Sequence, residues 1–177
     1  MRKVLLLGIG KELRGDSSIA ILIAKYLESL DLQVFDIKYE QTGYFNLFDS
    51  IKSYDKVIII IVTKKAFENP ESLKTLIYEK TEFIDKFSNC SAQERSMAEE
   101  LKLAEESVPD LFPKDIKFVI IEIPFQNNYS NRITKHTKIL ASHAIVKIFA
   151  ILESYSIKIY RKESINVKSA EELDIFL

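Results

Sequence analysis

The sequence contains one cysteine, Cys90, in 177 residues. A lone thiol excludes an internal disulfide framework and any zinc site built from several cysteines, and it fits a reducing, cytoplasmic setting. Charge of one sign is also lacking, since 25 lysines and arginines against 26 acids leave a net charge of −1. Without a basic excess, non-specific binding to nucleic acid or to an anionic membrane is disfavoured. No apolar run approaches the roughly 20 residues of a membrane span. The opening MRKVLLLGIGKELRGD has too short an apolar stretch for a secretory signal and no small-residue cleavage site. Glycine and proline number four each, and no linker, repeat or low-complexity tract interrupts the chain. What is present is a globular composition, 47% hydrophobic and 29% charged, in a length that suits one domain over residues 1–177.

Residues 3–9, KVLLLGI, form the unbroken apolar run of a strand buried on both faces, ending at Gly8 and Gly10. From Ile19 the apolar positions Ile19, Leu22, Ile23, Tyr26, Leu27 and Leu30 recur at three- and four-residue spacing, which predicts a helix. Asp16, Ser17 and Ser18 are residue types that cap such a helix. LQVFDIKY reads as a second strand, YFNLFDSIKSYD as a short helix, and the β-branched run KVIIIIV at 56–62 as a central third strand. This alternation predicts an α/β fold, a three-layer sandwich around a mainly parallel twisted sheet. After Pro70 strand and helix signals mix, and a strand is expected near Thr75–Glu79. Helix formers fill 91–107, with Met97, Leu101 and Ala104 on one side. IKFVIIEIP at 116–124 predicts another central strand, stopped by Pro124. A long helix follows within 130–155, striped by Ile133, Leu140, Ala144, Ile148 and Ile151, and the tail to residue 177 suggests an edge strand and a helical turn.

In open parallel sheets ligands bind beyond the carboxyl ends of the strands, which directs attention to GIGKELRGDSS after the first strand. A dinucleotide fingerprint fails there, because Leu13 occupies the place of its third glycine. A phosphate loop fails as well: Asp16, an anion, follows Gly15 where that loop needs lysine. Arg14-Gly15-Asp16 matches a cell-adhesion tripeptide, but three residues recur by chance.

The stretch LGIGKELRGDSSIA does resemble the opening motif of the nickel–iron hydrogenase maturation endopeptidases. Leu7, Gly8, Ile9, Gly10, Leu13 and Asp16 match it in register. EQTGYFNL at 40–47 is similar to the family's loop after its second strand, YDKVIIIIVTK to its third strand, and SAQERSMAEELKLA to its next helix start. The resemblance runs over roughly 1–155 in consistent order. It implies a protein that removes a C-terminal extension from the hydrogenase large subunit once nickel is installed, recognising the metal in its substrate. It also implies three metal-contacting positions: an acid in the first loop, an aspartate ending the third strand and a histidine before the next helix.

Those places hold Ser17, Ile61 and Gln93 in this chain. Two carboxylates and an imidazole suit a divalent transition metal; a hydroxyl, a hydrocarbon and an amide do not. Asp16, Glu40 and Glu94 are the candidate substitutes. On a regular helix, however, a one-residue shift turns a side chain by about 100°, which directs Glu94 away from the site. The resemblance therefore implies a peptidase-like fold without the usual metal-dependent cleavage, without a cofactor, and with the large subunit or an active homologue as partner. The alternatives are an active endopeptidase using rearranged residues, and a small-molecule-binding or structural protein unrelated to hydrogenase.

Outside these motifs, Glu122 is a carboxylate in a central strand, which predicts an ion pair before catalysis. His136 and His143 lie two helical turns apart, about 10 Å, too far to share one metal. Cys90 has no nearby histidine to make it a nucleophile. Lys64 and Lys65 predict a solvated loop, and Tyr44, Phe45, Leu47 and Phe48 an apolar group divided between core and surface.

Overall fold

The computed structural model describes residues 3–12, 14–41, 46–65, 72–88, 92–124 and 132–157. Five strands run β1 (Val4–Gly10), β2 (Asp36–Gln41), β3 (Lys56–Lys65), β4 (Thr75–Glu79) and β5 (Asp115–Pro124). The helices are α1 (Ile19–Ser29), α2 (Leu47–Ile51), α3 (Lys80–Phe87), α4 (Ala92–Ser107) and α5 (Lys135–Ser154). The sheet order is β2-β1-β3-β5-β4, parallel except for the β4–β5 pair. A mainly parallel sheet covered by helices is the three-layer α/β class that the strand–helix alternation predicts.

Strict alternation along the central strands divides the apolar side chains into two cores. Leu6, Ile58, Ile60, Val119 and Ile121 pack with α1 and α5 residues such as Ile23, Ala24, Ala144 and Ile148. Leu7, Ile9, Ile59, Ile61, Phe118 and Ile120 pack on the other face with Leu47, Phe83, Met97 and Leu101 from α2, α3 and α4. Phe83 stacks on Phe118 with centroids 3.7 Å apart, which locks α3 to the sheet. Gly8 permits the tightest approach between layers. A Cβ there would lie 2.6 Å from the Ala20 carbonyl oxygen and 2.9 Å from Ala24 Cβ, so α1 could not seat against β1 with any larger residue.

Several elements differ from the sequence reading. The second strand begins at Asp36 instead of Leu32, because Asp31 (φ 49°) and Gln33 (φ 48°) adopt left-handed conformations that no strand accommodates. Helix α3 follows β4 without an intervening loop and starts on a capping box, in which the Glu82 carboxylate accepts the Glu79 N–H at 3.0 Å. The expected Thr75–Glu79 strand is present, at the sheet edge and antiparallel to β5. Lys64 and Lys65 lie in the last two positions of β3, not in a loop, because their backbones still pair with Ile123 and Pro124. Cys90, Tyr44, Phe45 and the tail from residue 158 lie outside the described residues.

Candidate functional site

The carboxyl ends of β1, β2, β3 and β5 converge on one end of the domain, and the loop after β1 folds back over it. Lys11 N–H donates to the Ser17 carbonyl at 3.0 Å and Ser17 N–H to the Arg14 carbonyl at 3.1 Å. Gly10 makes this possible: a Cβ there would meet the Ser17 carbonyl oxygen at 2.8 Å. Glu12 pins the loop sideways, pairing with Lys25 at 2.8 Å and accepting from the Gln41 amide at 2.9 Å. The Lys25 ammonium holds the Glu12 carboxyl below its usual range.

Asp16 does not cap its own helix. Gly15, at φ 49°, turns the chain into a 3-10 segment, Gly15–Ser18, and Ser18, the N-cap of α1, makes no side-chain cap bond. The Ser18 hydroxyl donates instead to the Gly15 carbonyl at 2.7 Å. The buried Asp16 carboxylate reaches across to α5, where Oδ1 accepts the Thr134 N–H at 2.7 Å and Oδ2 the Thr134 hydroxyl at 3.1 Å. Thr134 in turn caps α5 by accepting the Thr137 N–H at 3.2 Å. Both oxygens of Asp16 are therefore committed to holding α5 in place.

The other candidates occupy separate surroundings. Ser17 is half-buried, and Ile61 is fully buried among the apolar residues beneath α4. Glu40 stands level with Ile9 in the β1–β2 register and lines an open groove of about 290 Å³ with Glu12, Ile21, Tyr39 and Gln41. Gln93 lies in the first turn of α4. Glu94, one residue on, faces the core. It is 6% exposed, on the stripe that carries Met97, Ala98 and Leu101 toward the sheet. Its Oε2 has no hydrogen-bond partner among the described residues. Burial raises the pKa of this carboxyl, an effect its bond to its own backbone only partly offsets. Among the described residues, no three His, Cys, Asp or Glu side chains come together as a metal-binding group. The site does not fit the metal contacts that the resemblance implies, because the Ile61 side chain has no donor atom and sits in a close-packed core.

The sequence reading missed what lies just beyond Ile61. Alternation puts Thr63 and Lys65 on the same face of β3, with Thr63 buried and opposite Glu122 in register. Lys65 Nζ lies 3.1 and 3.3 Å from the two Glu122 oxygens, the ion pair expected for that strand carboxylate. Glu122 Oε2 also accepts the Lys74 N–H at 3.0 Å, while Glu122 N–H donates to the Lys74 carbonyl at 2.9 Å. The signal available in the sequence was the spacing of Thr63 and Lys65, two and four residues past Ile61. Of the histidines, His143 is exposed and His136 half-buried with its Nε2 enclosed and without a partner among the described residues.

No protein-family model matches the sequence, and no curated protein matches it. Solved structures do. The hydrogenase maturating endopeptidase HybD from E. coli superposes with a TM-score of 0.71 at 22% identity, covering 88% of this chain and 94% of that one. An endopeptidase from Escherichia coli gives 0.73 at 23%, covering 93% and 100%. The [NiFe] hydrogenase maturation protease HybD from Thermococcus kodakarensis gives 0.66 at 18%, covering 85% and 99%. The agreement spans nearly the full length of each relative, and the chain therefore has the fold of the hydrogenase maturation endopeptidases.

Proposed function

We propose that this protein binds the C-terminal tail of a hydrogenase large subunit, or an active relative that processes it, without cutting the tail itself. The fold supports the hydrogenase connection, and Ile61 carries the rest. Where the resemblance implies an aspartate facing a metal, β3 presents a buried hydrocarbon packed against Ile9, Ile59 and Met97. A cation brought there in a substrate would lose hydration without gaining a ligand, a cost of several kcal/mol. The neutral Ser17 and Gln93 positions supply no compensating charge. The scaffold around them is intact, with β1 and the central residues of β3 and β5 buried, as expected of a protein kept for binding.

The test mixes the purified protein with nickel-loaded large-subunit precursor and follows the precursor by mass spectrometry and gel filtration. The precursor should keep its full mass and co-elute with the protein. A shortened product from this chain alone refutes the reading. A second reading, cleavage by rearranged acids, draws support from the enclosed Glu94 oxygen, which has no partner among the described residues. Asp16 weakens it, since both its oxygens are occupied by Thr134. Calorimetric titration with a divalent metal, repeated with Glu94→Gln, supports that second reading only if binding appears and then disappears.

A further inference from the structure

We propose that the basic segment 158–162 of this chain docks across the amino ends of the strands, in the acidic cavity between the end of α1 and the start of β2. The inference is independent of the proposed function, because that cavity lies at the opposite end of the sheet from the candidate site. The direction in which the chain leaves α5 is set by its cap. Ser156, at φ 62°, closes a Schellman motif: its N–H donates to the Glu153 carbonyl at 2.9 Å, and the Ile157 N–H donates to the Leu152 carbonyl at 3.1 Å. Ile157 then packs on the same core layer as Leu30, Phe35 and Ile37. Tyr155 lies against the start of β3, with the Lys56 ammonium 3.9 Å from its ring centroid. Only β1 separates β3 from β2. Two strand spacings amount to about 10 Å, and an extended chain covers about 3.3 Å per residue, so the segment is long enough to reach the cavity.

Cavity and segment match in charge and in polarity. The cavity, about 450 Å³, is lined by Glu28, Asp31 and Asp36, all exposed, and by Leu32, Phe35 and Ile37. None of the three acids joins an ion pair among the described residues. Asp36 meets the neutral Tyr54 hydroxyl. Lys25, which faces Glu28, is already paired with Glu12. Lys38 also lines the cavity, but its ammonium donates to the Ser50 carbonyl at 3.2 Å. Residues 158–162 read KIYRK, with three cations, two apolar side chains and no acid before Glu163. Lys158, Arg161 and Lys162 supply the missing countercharge, and Ile159 and Tyr160 add apolar contact, which exposed ion pairs need to hold a segment in place. The other edge of the sheet offers less, since Glu79 at that end of β4 is already paired with Lys117 at 2.6 Å. Docking beside β2 also covers an edge strand, which proteins commonly shield.

A nitroxide is attached to the full-length protein at Glu163→Cys, with Cys90→Ser removing the native thiol, and amide intensities are compared by two-dimensional 15N NMR before and after the label is reduced. The signals of Glu28, Asp31, Gln33 and Asp36 should lose most of their intensity while the label is oxidised, and those of Thr75 and Ile77 should keep theirs. Reversing the segment's charge with Lys158→Glu, Arg161→Glu and Lys162→Glu should abolish the loss, and Lys162→Glu alone should diminish it. Full intensity at Asp31, a loss at β4 instead, or a loss undiminished by charge reversal each refute the docking. Nitroxide-bearing 14N protein mixed with unlabelled-thiol 15N protein should leave every signal unchanged. A loss in that mixture assigns the contact to a second copy of the chain and overturns docking within one molecule.

Discussion

Replacing Asp16 with alanine removes two hydrogen bonds that join the loop after β1 to the start of α5 across 118 positions of sequence. The 2.7 Å contact is a charged acceptor on a backbone N–H, worth about 1.5–3 kcal/mol net, and the hydroxyl contact adds about 1 kcal/mol. Thr134 keeps its own cap on Thr137, so α5 itself persists and the cost is confined to docking. The expected loss is about 2–4 kcal/mol, which for a chain of this length lowers the melting temperature by about 5–12 °C. Asp16→Asn retains one acceptor for the Thr134 N–H and should cost roughly half as much. Urea denaturation read by circular dichroism measures both variants, and an unchanged slope shows that the native state alone is affected. A double-mutant cycle with Thr134→Val should return a coupling of about 1 kcal/mol or more. An alanine variant within about 0.5 kcal/mol of wild type, or an asparagine variant weaker than alanine, refutes this account of Asp16.

Burial raises the Glu94 pKa, so over a window above the ordinary carboxylate value the unfolded chain has released its proton while the native chain retains it, and stability falls as pH rises through that window. Glu94→Gln should therefore gain on wild type as pH rises above the ordinary carboxylate range in urea titrations, and parallel curves for the two proteins contradict the assigned burial. Gly8→Ala forces a Cβ to within 2.6 Å of a backbone oxygen of α1 and should cost about 1–3 kcal/mol or prevent folding, whereas Ala24→Gly combined with it should recover little, because the backbone of Ala20 is the nearer obstacle. Thermal melts of the single and double variants settle the point. Ile61→Asp places a carboxylate in a closed apolar core and should cost about 3 kcal/mol or more in the same assay, with no recovery on adding nickel.

The central strands were legible because burial on both faces leaves little polar punctuation: KVLLLGI and KVIIIIV carry a charge only at their first position, and IKFVIIEIP only at Lys117 and Glu122. The amphipathic helices α1, α4 and α5 were legible for the complementary reason, one face dry and the other wet. Helix α3 was not, since β4 passes into it within one residue and the Glu79–Glu82 capping box is its only marker. The start of β2 was misplaced because Val34 and Phe35 are apolar, while the left-handed turns at Asp31 and Gln33 carry no glycine or asparagine to announce them. At the site, the hydrocarbon at Ile61, where the resemblance implies a donor, is plain in the sequence. The Asp16–Thr134 and Lys65–Glu122 contacts could not, because they join residues 118 and 57 positions apart and depend on the strand order. Glu94 marks the boundary between the two cases: it precedes Met97 by three on the apolar stripe, so its burial was implicit in the helix period.

The contact between the first loop and the last helix has a consequence for how the molecule comes into being. Residues 1–65 can assemble three parallel strands as soon as they are synthesised, but the anchor for the loop at Gly15–Ser18 does not exist until Thr134 has been made. Closing so long a loop is slow and comes late in folding. During translation the loop after β1 therefore stays unanchored after much of the sheet has formed, and a nascent chain arrested before α5 would lack the Asp16–Thr134 contact even with β1, β2 and β3 in place.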